Sequence, residues 1–133
     1  MSVHTIALTY APKIKGVCKG EIRQTIRKVQ KRVYKVGDSL IFHGWAGRPY
    51  WSAWDWRLTG LELKEVFLIN LDSSGIVYKE DNTGTRLQVL QKTDLDELAR
   101  LDGIDPPTGE ELLKVLKGKN KKNPYGLFWV LRW

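Results

Sequence analysis

The chain closes on a seven-residue alternation in which Leu127, Trp129, Leu131 and Trp133 share one face and Phe128, Val130 and Arg132 share the other. A side-chain period of two belongs to an extended strand, so the last element is β. The same period recurs in short runs. Between Val3 and Tyr10, Ile6, Leu8 and Tyr10 alternate with Thr5, Ala7 and Thr9, and Pro12 is expected to close that strand. Ser39 to His43 follows a Gly37-Asp38 turn signal, and Leu61 to Ile69, Ile76 to Tyr78 and Arg86 to Leu90 add further strand-like stretches. Two helices are expected late in the chain. Asp94 with Glu97 marks one start, and Thr108 with Glu111 forms a capping box ahead of the apolar face Leu112, Leu113 and Leu116, with Gly118 placed to stop it. Many short strands with helices early and late predict an α+β domain whose sheet curls into a small barrel, with residues 1–133 as a single domain.

Several function classes fall away on composition. With one cysteine, Cys18, and only His4, His43 and Met1 as other soft or borderline ligands, a zinc site is not expected, and no metal or other cofactor is implied. No phosphate loop or dinucleotide fingerprint is present, and two distant histidines with a lone cysteine form no recognisable nucleophile and base. His43, ending an apolar run, reads as a packed residue. No apolar run nears the roughly 20 residues of a membrane span, and the first residues lack the basic and apolar regions of a secretory signal. A cytoplasmic protein is expected, without a membrane partner.

The net charge of +7 is concentrated in one place. Lys13, Lys15, Lys19, Arg23, Arg27, Lys28, Lys31, Arg32 and Lys35 lie in one segment with Glu21 as its only acid, giving it +8 against −1 for the rest of the chain. Surface charge kept for solubility is usually mixed in sign, so a local excess points to a polyanion, with nucleic acid the commonest one inside cells. The segment reads either as one long basic helix or as a helix broken at Gly20. Against the long helix stand Gly16 and Gly20, each costing about 1 kcal/mol relative to alanine, and the β-branched residues that follow. If the chain breaks at Gly20, alternation sends Arg23, Thr25 and Arg27 to one face and Ile22 and Ile26 to the other. Two guanidinium groups beside a hydroxyl suit phosphate, because the planar fork of arginine engages two oxygens at once.

Gly20-Glu21-Ile22-Arg23-Gln24-Thr25-Ile26-Arg27 followed by Tyr34-Lys35-Val36-Gly37-Asp38 resembles the ASCH domain family of PUA-like barrels. The resemblance continues through Leu98-Ala99-Arg100-Leu101-Asp102-Gly103, the Glu110-Glu111-Leu112 helix and the closing Leu127–Trp133 segment. It implies a pseudo-barrel with flanking helices, a cleft beside the Thr25-Ile26-Arg27 strand, and a role in binding or processing RNA. It also implies the break at Gly20. Members resembling amidohydrolases of acetylated cytidine carry a lysine five residues before the motif arginine, and this chain has Ile22 there. A hydrolase acting on a modified nucleoside, or a ribonuclease, is therefore the second reading. Its candidate catalytic residues are Lys19, Glu21 and Thr25.

Four of the six tryptophans fall between Trp45 and Arg57, interleaved with Arg48, Tyr50 and Arg57. For a single tryptophan, burial as a cap on the barrel is the ordinary expectation. Four together with arginines have the composition of a base-stacking platform, with Trp51 and Trp54 ahead of Tyr50. A patch for a protein partner is a third reading. The candidate nucleic-acid-binding set is Lys19, Arg23, Thr25, Arg27, Lys28, Arg48, Tyr50, Trp51, Trp54 and Arg57.

Overall fold

A computed structural model describes residues 2–45, 53–81, 83, 85–118 and 124–133, and leaves the side chain of Trp54 undescribed. The fold is α+β, with eight strands in two sheets and three helices among the described residues. The first sheet has β1 (Val3–Ala7) parallel to β3 (Ser39–Trp45), which pairs antiparallel with β4 (Trp54–Glu62). The second runs β2 (Gln24–Lys28), β8 (Gly126–Arg132), β5 (Glu65–Leu71), β6 (Val77–Glu80) and β7 (Arg86–Val89), antiparallel throughout. Helix α1 (Ala11–Cys18) joins β1 to β2, while α2 (Lys92–Leu101) and α3 (Gly109–Gly118) lie between β7 and β8.

The two faces of β8 explain the layering. Phe128 and Val130 pack with Ile26, Phe67 and Ile69 against Leu98, Ala99, Leu112 and Leu116 of α2 and α3. Trp129 and Leu131 face the other way, into a cluster with Ile6, Leu40 and Phe42 of the first sheet, Leu8 just past β1, and Val17 of α1. The second sheet is thus a middle layer, which is why its closing strand carries large apolar side chains on both sides.

Gly20 does break the basic segment. Its φ of +77° is left-handed, a conformation that glycine adopts without a Cβ clash, and the chain turns there from α1 towards β2. Pro12, expected to close a strand, instead sits in the first turn of α1, where its fixed φ and missing N–H cost nothing. The single strand expected from Leu61 to Ile69 is two. At Leu63 and Lys64 the chain crosses between sheets, Leu63 N–H donating to the Asp38 carbonyl and Lys64 N–H to that of Arg132, both at 2.8 Å. The cap of α2 lies one turn earlier than expected: the Gln91 side chain and the Asp94 backbone, and the Gln91 N–H and the Asp94 carboxylate, exchange hydrogen bonds. Glu97 pairs with Arg100 instead. At α3, Thr108 Oγ1 accepts the Glu111 N–H at 3.3 Å, while the Glu111 carboxylate binds Lys114. No helix among the described residues is long and apolar enough to cross a membrane.

Candidate functional site

The turn between α1 and β2 is built around Ile22. A Cβ on Gly16 or on Gly103 would stand 2.4 Å from Ile22 Cδ1, so the two glycines are the walls of a slot that this side chain fills. Ile22 therefore packs with the inter-sheet cluster and not beside Ile26, which belongs to the helix side. Alternation fails here because β2 begins only at Gln24. The position at which the resembling amidohydrolases carry lysine is a packing position in this chain.

A lysine reaches this region from elsewhere. Lys13 Nζ lies 2.9 Å from Asp102 Oδ2, with side chains only 14% and 9% exposed. Burial pulls the Lys13 ammonium below the usual lysine range, the Asp102 carboxylate opposes that shift, and the charge of Arg27 adds to it. Asp102 is the C-cap residue of α2, and its other carboxylate oxygen lies 3.5 Å from Gln24 Nε2. Gln24 donates to the Leu98 carbonyl at 3.0 Å and accepts from Arg132 Nε at 2.9 Å, and Arg132 pairs with Glu65. A polar chain thus runs from α1 through the end of α2 to β5. Neither Lys13 nor Asp102 was singled out from the sequence as a functional residue. Lys13 was one member of a charge cluster, and nothing local connects it with Asp102.

Thr25 and Arg27 do share a face, the inter-sheet one, opposite Leu131 and Trp129 in the ladder. Thr25 is buried, and Arg27 is half-buried with Nη2 donating to the Ala7 carbonyl at 3.0 Å. Arg23 precedes the strand and is exposed, its Nε 3.4 Å from the Gly20 carbonyl. Lys19 and Glu21 are exposed, with Lys19 at the C-cap of α1. Lys28 is engaged within the fold, donating to the Tyr125 carbonyl and lying 4.6 Å from the Phe128 ring centroid. Lys15, Lys31, Arg32 and Lys35 are exposed on the segments flanking β2.

Of the tryptophans in the aromatic segment, the structure describes the side chains of Trp45 and Trp56. Trp56 pairs with Gly44 and leans over it so closely that a Cβ there would meet Trp56 Nε1 at 2.2 Å. This ring is half-buried and packs against the inter-sheet cluster. Trp54 and Arg57 lie opposite Trp45 and His43, and the Arg57 side chain is exposed. His43 is 4% exposed with its ring edge-on to Trp45, and burial holds its pKa below the ordinary histidine value. Arg48, Tyr50 and Trp51 fall outside the described residues. A separate groove of about 150 Å³ opens on the helix side of the second sheet, between Phe67, Lys79 and the first turns of α2. Comparison with family models, curated proteins and solved structures finds no match to this chain.

Proposed function

We propose that this chain is an ASCH-like, PUA-type module that binds RNA or a modified nucleotide beside β2. The observation that carries the reading is the placement of Arg27: half-buried and anchored on the Ala7 carbonyl next to the buried Thr25, it is held in one geometry, while exposed cations lie on both flanking segments. A fixed guanidinium selects, and the exposed lysines around it supply attraction without sequence preference. Titration of a single-stranded RNA oligomer across a salt series tests this. Log affinity falls linearly with log salt, with a slope of about −0.7 per phosphate contacted, and the triple variant Lys15→Ala/Lys19→Ala/Arg23→Ala flattens it. Salt-independent affinity, or a slope unchanged in that variant, overturns the reading.

One observation favours the hydrolase alternative. Lys13 brings an ammonium to the Asp102 carboxylate, which also contacts Gln24, the neighbour of Thr25. The pair would supply from α1 a proton-transfer group that Ile22 lacks. On this reading the chain releases acetate from N4-acetylcytidine, and the paired Lys13→Met/Asp102→Leu variant does not. Absence of turnover in the unmodified chain removes the alternative.

A further inference from the structure

The ladder of the second sheet aligns Arg27, Trp129, Leu68 and Glu80 in one row across β2, β8, β5 and β6, all on the inter-sheet face. Three members of this row carry a buried polar atom that accepts or donates no hydrogen bond, Glu80 Oε2, Trp129 Nε1 and Arg27 Nε, although the Arg27 guanidinium is itself held through Nη2 on the Ala7 carbonyl. Glu80 and Trp129 are each 5% exposed, and neither Glu80 Oε2 nor Trp129 Nε1 has a hydrogen bond. Buried polar atoms are nearly always paired, so several such atoms in one row need a reason. Glu80 even has an arginine directly opposite it, Arg86 on β7, yet no ion pair joins them. The Arg86 guanidinium lies instead over the Tyr78 ring, 4.0 Å from its centroid.

We infer that Glu80 and Trp129 are the two poles of a recognition site for a 6-oxopurine base, guanine in ordinary RNA. The inference rests on the reading of this chain as a binder of RNA or nucleotides. One pole accepts a hydrogen bond and the other donates one. Their backbones are two strand spacings apart, roughly 10 Å, with the buried Leu68 between them. Beyond Leu68 the same face carries Asn70 and Tyr78, both half-buried.

The chemistry of the base edges selects among ligands. Guanine presents two adjacent N–H donors, N1 and N2, along one edge and only the acceptors O6 and N7 along the opposite one. The first suits a carboxylate and the second an indole N–H. Uracil flanks its single N–H with two carbonyls that repel a carboxylate. The amino donors of cytosine and adenine stand beside ring-nitrogen acceptors that do the same.

The test compares a uridine heptamer with the same oligomer carrying one central guanosine, together with the four nucleoside 5′-monophosphates, on the full chain. At least a tenfold preference for the guanosine-bearing ligands is expected. Glu80→Gln, which replaces one acceptor oxygen by a donor, and Trp129→Phe, which keeps an aromatic ring without its N–H, each abolish that preference, while salt-dependent affinity for the uridine heptamer persists. Melting measured alongside separates lost recognition from lost fold, and the two variants are independent, so one unfolding leaves the other to decide. RNA binding with no base preference, or a preference that survives in a folded variant, overturns the assignment of these poles and leaves the RNA reading standing. Failure to bind any of the oligomers or nucleotides overturns both.

Discussion

Lys13 and Asp102 meet at 2.9 Å with both side chains nearly excluded from water, tying α1 to the end of α2. A buried pair of this kind is costly to break and inexpensive to replace whole, because the penalty falls on whichever charge is left alone. Lys13→Met or Asp102→Leu alone should each cost roughly 3–5 kcal/mol, whereas the double replacement should cost far less than their sum. Urea denaturation of the three variants gives the coupling directly.

The slot around Ile22 makes a second prediction. Gly16→Ala would ordinarily stabilise a helix, but here the new methyl meets Ile22 Cδ1. The expected result is a loss of about 1–3 kcal/mol by overpacking, recovered in part when Ile22→Val removes the obstructing methyl. Thermal melts of the two singles and the double test this. Ile22→Lys, the change that restores the residue of the resembling amidohydrolases, should destabilise by a comparable amount or more, because an ammonium would enter an apolar slot.

A third prediction concerns acid. Asp38 binds His4 Nε2 at 2.8 Å and accepts the N–H groups of Ser2 and Lys35, and these contacts, the His4 bond foremost, hold its carboxyl down to about 2. The folded value lies below the unfolded one near 3.8, so this stabilisation is complete above pH 4 and is lost as pH falls through 2. Asp38→Ala should cost about 1–3 kcal/mol at neutral pH through the orphaned donors. Its stability should also vary less with pH between 4 and 2, which acid titrations followed by circular dichroism would reveal.

The tryptophans should separate by role. Trp56 packs over Gly44 into the inter-sheet cluster, so Trp56→Ala should approach the ~3–5 kcal/mol of a core aromatic deletion. RNA affinity per folded molecule should be unchanged, as melting and binding measured on one sample would establish.

What the sequence by itself determined is the part of the fold with a local cause. The period of two from Leu127 to Trp133 set a strand and sorted its side chains, because neighbours along a strand alternate regardless of what covers each face. At Gly20 the sequence left a continuous helix and a break both open, because a missing Cβ permits a left-handed turn without requiring one, and the structure chose the turn. The charge cluster from Lys13 to Lys35 could be counted directly, but only packing distinguished Lys28, engaged by Tyr125 and Phe128, from Lys15 and Lys19, which are exposed. Tertiary structure alone decided the relationships between segments distant in the chain. Ile22 fills a slot whose far wall is Gly103, Asp102 receives a lysine from α1, and Glu80 lies in line with Trp129 through the register of β5 with β6 and β8. None of these has a periodic or compositional signal, because ladder register and close approach arise only when the layers pack.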